Sequence, residues 1–216
     1  MKLSQSFGGF GDEDEVLFDT HNQLVVELTD KYPDIYQLKT LLRNNKSFVA
    51  GGCFKNILKQ EAPRDIDVFF HTAADFDESL AEFMKSTHYI QEHRNPRSVG
   101  FRHKTHDLLI DLVCYRYGTP EEILTSFDFT VVKFAYFLRD GEYRVIHHVN
   151  FEKHLEEKKL ETYTDPVNVD KFFNRVLRYN TYGYNVTRGL KRRMFRAIRV
   201  MDAGDIENVS EPGKLY

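Results

Sequence analysis

Tryptophan is absent from this 216-residue sequence and cysteine occurs only twice. No apolar run comes near the roughly 20 residues that a bilayer-spanning helix requires. Each shortage excludes something. Cys53 and Cys114 are too few for a disulfide framework or a cysteine-rich zinc module. The opening Met-Lys-Leu-Ser-Gln-Ser-Phe-Gly-Gly lacks the apolar stretch of an export leader, so both cysteines read as reduced thiols. There is no repeat at solenoid spacing and no low-complexity segment. These absences predict a cytoplasmic protein with no membrane segment. What is present is aromatic: 18 Phe and 12 Tyr, within 41% apolar residues, exclude a disordered chain. The length suffices for one sizeable domain, with or without a small appendage.

A net charge of -3 conceals an asymmetry. Between Pro166 and Met201, Lys171, Arg175, Arg178, Arg188, Lys191, Arg192, Arg193, Arg196 and Arg199 face a single acid, Asp170. Residues 1–33 hold seven acids against Lys2 and Lys31. One end can attract a polyanion although the whole chain does not.

Periodicity predicts a helix over 34–45, with Asp34 as its N-cap, and a strand Ser47–Ala50 running into Gly51-Gly52. A helix over 53–60 follows, then a strand from Asp65 in which acid and apolar residues alternate. Further helices are expected over 75–86 and from Thr119-Pro-Glu-Glu, a capping-box start. Hairpins are expected around Lys104–Asp107 and Arg139–Glu142. Residues 1–15 read as loose. From about Asn150 the pattern is helical, over 150–160, 166–180 and 188–203. The expected architecture is α+β: a mixed head over 1–149, with a short sheet flanked by helices, then a basic helical extension over 150–216.

Three features carry chemistry in order: Gly51-Gly52, Asp65-Ile-Asp67, and Asp111 within Leu-Leu-Ile-Asp-Leu-Val. Acids two apart on a strand share a face, and a third from a neighbouring strand can close a set of hard oxygen ligands. Such a set repels itself unless it holds divalent cations. Two metals bridging phosphate oxygens suit in-line attack at phosphorus, and a diglycine turn lets backbone approach a phosphate. Separately, each feature has a plainer reading: acids on a solvated face, or a mere turn. Asp111 resists it, because an acid inside an apolar strand is costly unless paired or metal-bound.

Phe48-Val-Ala-Gly-Gly-Cys-Phe-Lys-Asn-Ile-Leu with Arg64-Asp-Ile-Asp-Val-Phe resembles the signature of the polymerase-β-like nucleotidyltransferase superfamily, nearest its CCA-adding enzyme and poly(A) polymerase branch. Asp128-Phe-Thr-Val-Val-Lys-Phe-Ala-Tyr and Arg175-Val-Leu-Arg-Tyr resemble later motifs of that branch, so the likeness spans residues 47–185. The resemblance implies a nucleotidyltransferase-fold head and transfer of a nucleoside monophosphate from an NTP to a hydroxyl, with release of pyrophosphate. Asp65, Asp67 and Asp111 would be catalytic and hold two Mg2+ or Mn2+ ions. Gly51, Gly52, Lys55 and Arg64 would bind the nucleotide. An RNA 3′ end, of tRNA or another RNA, is the expected acceptor.

The sequence departs from the branch pattern. Lys55 stands where the branch has Arg, Asn56 where it has Asp, and Lys171-Phe-Phe-Asn-Arg175 keeps only the last residue of the base-reading motif. These departures motivate one alternative, a catalytically inactive module that binds nucleic acid or protein; a toxin-like or antitoxin-like transferase acting on a protein side chain is a further one. On the last helix Arg188, Arg192, Arg196 and Arg199 recur at steps of four and three, forming a stripe that Arg175 and Arg178 extend. Arg175, Arg178, Arg192 and Arg196 are the candidate acceptor-phosphate contacts; arginine stems covering apolar surface are the competing reading. Tyr179, Tyr182 and Tyr184 read as core. The nine histidines show no trusted ligand spacing, Cys53 reads as a small buried filler, and Asp128 is either a brace or a strand-start residue.

Overall fold

A computed structural model describes residues 23–42, 45–166 and 168–199. The acid-rich start, the expected loose segment 1–15 and the end of the last expected helix lie outside them. Among the described residues, ten strands and six α-helices occur in the order β1 (Leu24–Leu28), β2 (Ser47–Ala50), α1 (Cys53–Ile57), β3 (Asp65–Phe70), α2 (Ala73–Lys85), β4 (Tyr89–Arg94), β5 (Ser98–His103), β6 (Leu109–Val113), α3 (Pro120–Thr125), β7 (Phe134–Arg139), β8 (Glu142–His148), α4 (Phe151–Glu156), β9 (Lys159–Leu160), α5 (Val169–Thr181), β10 (Asn185–Val186) and α6 (Arg188–Arg199). The fold is mixed α+β, and among the described residues no helix is long and apolar enough to cross a membrane.

Eight strands form one mixed sheet in the order β1-β8-β7-β2-β3-β6-β5-β4. The pair β3–β6 is parallel, and every other neighbour is antiparallel. Both expected hairpins form, as β5–β6 and β7–β8. Alternation gives β3 two uses: Ile66, Val68 and Phe70 enter the main core, while Asp65, Asp67 and Phe69 face the other way. Phe69 joins a smaller core with Phe48, Val113, Ile123 and Leu124 beneath α3. The carboxylates therefore emerge where this second apolar layer ends.

Local signals explain most helix starts. Thr72 caps α2 and Thr119 caps α3 through reciprocal capping boxes, the second with Pro120 at the first helical position. The segment expected as a helix over 34–45 is a 3-10 helix, Pro33–Leu41, whose N-cap is Tyr32 rather than Asp34. Pro33 occupies the first helical position there, which puts the cap at Tyr32, two residues upstream of the expected one. The region after Asn150 is not wholly helical, because β9 and β10 pair in parallel between its helices. The core runs without a break through this point: Phe151 packs on Phe134, and Phe172 and Tyr179 pack on Phe129.

Candidate active site

The parallel pairing of β3 with β6 sets Asp67 directly beside Asp111. Asp65 lies two residues earlier on the same face of β3, so three acids from two strands share one surface. At the end of β2 the backbone turns through Gly51 at φ +105°, a left-handed conformation that favours glycine. The Gly51 N–H donates to the Phe134 carbonyl at 2.9 Å, and a Cβ here would lie 3.7 Å from Asp67 Oδ2 and 3.5 Å from the Phe127 ring. The diglycine thus lies against the acids. The helix it opens, α1, has only five residues.

Gly52, Cys53, Lys55, Asn56, Arg64, Asp65, Asp67, Asp111, Arg178, Tyr179 and Tyr182 line one cleft of about 310 Å³. It adjoins a bay of about 400 Å³ that shares Lys55, Asn56, Arg64 and Tyr182 and adds Lys59 and Lys158. A roomier cavity of about 840 Å³ lies behind Ile66 and Ile110, on the opposite face of the same two strands. Size alone does not find the chemistry; the ionisable groups do.

The acids are under strain from one another. Burial, then the nearby charges of Asp65 and Asp111, pushes the Asp67 carboxyl up to about 7. Burial likewise raises Asp111, against the opposing pull of His93. Arg64 pairs with Asp65 at 2.6 Å. Asp111 Oδ1 is buried with no aligned hydrogen-bond donor, although His93 Nε2 lies 2.9 Å away. A crowded set of carboxylates with an orphaned oxygen is a donor set that fits hard divalent cations. The ligand atoms of these three do not all lie within 4.8 Å of one another. Among the described residues, the group whose ligand atoms all lie within 4.8 Å of one another is Glu27, His147 and Glu152.

That second group is already filled. The Tyr32 hydroxyl sits 3.0 Å from Glu27 Oε2, 3.1 Å from His147 Nε2 and 2.6 Å from Glu152 Oε1. Lys31 adds an ion pair of 2.7 Å to Glu152. A phenol occupies the place a cation would take.

The remaining candidates divide. Lys55 lines the cleft with its ammonium over the Tyr182 ring, 5.5 Å from the centroid, and burial lowers its pKa. Asn56 still braces the loop in place of Asp, accepting from Lys55 and donating to Glu61 at 3.1 Å. Arg178 reaches the cleft. Arg175 is instead ion-paired with Asp128, which makes Asp128 a brace between the loop after α3 and α5. Arg192 is exposed on α6, and Arg196 approaches Asp165 at 3.6 Å beside the closer Arg193 pair. Tyr179 and Tyr184 are core, as expected, whereas Tyr182 is 46% exposed and lines the cleft. Cys53 is buried and burial pushes its thiol pKa up, which suits a filler. Sequence reasoning missed His93, Lys59 and Lys158. For His93 the available signal was Gly100, a glycine inside a strand pattern.

A model of the Gabija anti-defense 2 family proteins matches residues 17–158. No curated protein matches the chain in sequence. Among solved structures, a CCA-adding enzyme in complex with ATP superimposes with a TM-score of 0.61 at 19% identity, over 81% of this chain and 46% of its own. A CCA-adding enzyme in complex with CTP gives 0.61 at 17% identity, over 87% and 51%. The Thermotoga maritima CCA-adding enzyme complexed with tRNA gives 0.59 at 17% identity, over 87% and 52%. The chain therefore spans about half the length of the structures it matches and shares the nucleotidyltransferase fold of their heads.

Proposed function

The chain belongs to the Gabija anti-defense 2 family, and from that premise we propose that it is a nucleotidyltransferase moving a nucleoside monophosphate from an NTP to a hydroxyl acceptor. The observation that carries this reading is the β3–β6 register, which puts Asp67 beside Asp111 on the face that also bears Asp65, against the Gly51-Gly52 turn. The three carboxylates would hold divalent cations, Mg2+ or Mn2+, which supply Lewis-acid charge to phosphate oxygens. Gly51 and Gly52 keep side chains away from the approaching triphosphate. Lys55, Arg64 and Arg178 provide compensating positive charge along the cleft. Asp111, the carboxylate supplied by the neighbouring strand, is suited to take the proton of the acceptor hydroxyl as attack begins. In this division residues up to about 149 carry the carboxylates and the diglycine turn, and the basic extension beyond them adds Arg178 to the cleft and seats the acceptor.

An RNA 3′ end is the acceptor favoured by the cationic stripe of α6 and by the CCA-adding enzyme neighbour solved with tRNA. The family's description favours a second reading, in which the acceptor hydroxyl belongs to a protein of the Gabija defence. One experiment separates them from each other and from an inactive binding module. The protein is incubated with each labelled NTP, Mg2+ or Mn2+, and either an RNA pool or the purified defence proteins. Label on RNA supports the first reading and label on protein the second. In both cases Asp65→Ala with Asp67→Ala is expected to reduce transfer at least about 1,000-fold. No product with any NTP, or product undiminished by the double substitution, overturns the transferase reading.

A further inference from the structure

We infer that His93 is the positioning residue of Asp111, reaching across Gly100 to fix the third carboxylate where it meets a divalent cation. The inference rests on the transferase reading and concerns a residue outside the expected site.

The two strand pairings that meet at β5 make a single row across the sheet. His93 is opposite Gly100, and Gly100 is opposite Asp111, which is in turn beside Asp67. Neighbouring strands are about 4.8 Å apart, so a side chain two strands away touches Asp111 only by leaning over whatever lies between. Gly100 makes the lean possible. A Cβ on it would fall 2.1 Å from His93 Cε1 and 2.4 Å from Nδ1. No left-handed φ requires glycine there, so the requirement is room for the ring.

A bulge chooses which residue leans. The β4–β5 ladder pairs Gln91 with Phe101 but then His93 with Gly100, leaving Glu92 as the extra residue. A regular ladder would set Glu92 on the row, adding a fourth acid to three that already repel. The bulge sends Glu92 to an ion pair with Arg102 and puts an imidazole in its place.

The ring arrives with Nε2 2.9 Å from Asp111 Oδ1 and 3.3 Å from Ser98 Oγ. Both His93 and Ser98 act on the carboxylate to favour its charged form, although Oδ1 itself is buried and meets no donor in ideal alignment. The imidazole therefore limits rotation of the carboxylate. Outer partners of this kind govern ligand orientation, and their removal typically costs 10–100-fold in metal affinity or activity.

The test is Mn2+ binding to the full chain, followed by electron paramagnetic resonance, with thermal midpoints recorded alongside. Asp65→Ala with Asp67→Ala should abolish binding. His93→Ala should weaken it about tenfold or more with little change in midpoint, and Gly100→Ala, which evicts the ring, should do the same. His93→Gln, whose amide nitrogen falls near the place of Nε2, should recover most of the loss. Binding by His93→Ala within twofold of the parent overturns the inference while leaving the transferase reading intact. So does a His93→Gln chain no better than His93→Ala. If the parent chain binds no Mn2+, or binds it without Asp65 and Asp67, the transferase reading falls and this inference falls with it.

Discussion

Two acidic clusters on the same sheet respond to the same problem in opposite ways. At one edge, Glu27 of β1 and Glu152 of α4 gather around His147, and the sequence supplies its own neutralisation. Burial acts to raise both glutamates, yet hydrogen bonds from Tyr32 and the positive charge of Lys31 outweigh it and hold both below the usual carboxylate range. Toward the other edge, burial and mutual repulsion raise Asp67 and Asp111, and the nearby cations do not restore balance. The first cluster is a finished piece of structure. The second keeps carboxyls raised above the usual range, which the chain's own cations do not offset. Proximity of ligand atoms, by itself, points to the first cluster; the direction of the pKa shifts separates the two.

The largest expected effect comes from Asp67. Its carboxyl is raised from 3.8 to about 7 in the folded protein. Below the lower value both folded and unfolded chains hold the proton; as pH rises toward 7 the unfolded chain releases it first, so the fold loses stability across that window. At about 1.4 kcal/mol per pKa unit the loss is of the order of 2–4 kcal/mol. Asp67→Asn should therefore raise the thermal midpoint at pH 8 by roughly 5–10 °C and leave it nearly unchanged at pH 4. Mn2+ should raise the midpoint of the parent chain at pH 8 and act much less on the variant. Calorimetry at the two pH values checks both, and a destabilised Asp67→Asn chain at pH 8 would erase the contrast between the clusters.

Tyr32→Phe is the reciprocal change and should act with the opposite sign. It keeps the ring that packs edge-on against Phe134 but removes the hydroxyl at the centre of Glu27, His147 and Glu152. Three polar groups then lose their common partner, at a cost of about 1–3 kcal/mol. The midpoint should fall at neutral pH, while Mn2+ binding at the aspartates stays as in the parent. Mn2+ binding that disappears with the hydroxyl would instead locate the cation at the wrong cluster.

Much of the aspartate site was legible because its signals are local. Two acids two apart on a strand, an acid within Leu-Leu-Ile-Asp-Leu-Val, and a diglycine after a short apolar strand each break a simple pattern in a recognisable way. The stripe on α6 was legible for the same reason, through its periodicity. The role of Asp165 beside Arg193 and Arg196 was not, because it comes from a loop about 30 residues earlier. The Tyr32 network was hidden by separation, since Glu27 and His147 are 120 residues apart. The lean of His93 depends on a bulge and on a neighbour two strands away, and neither leaves a periodic trace. β9 and β10, two residues each, are too short to read against the helices around them.

The smallest expected effects belong to the single cations that attend each cluster, and they sharpen the contrast most. Lys31 and Arg64 both pair with carboxylates at the surface, where such a pair contributes about 0.2–1 kcal/mol and is screened by salt. Lys31→Ala should lower the midpoint by about 1–2 °C, and Mn2+ should not restore it, because Tyr32 still fills the centre of that cluster. Arg64→Ala should cost a similar amount at pH 8. Here added Mn2+ should recover the loss, since a bound cation supplies more positive charge to Asp65 and Asp67 than the exposed guanidinium did. Equal behaviour of the two variants toward Mn2+ would mean that both clusters meet their charge in the same way, and the distinction between a finished network and a receptive one would not survive.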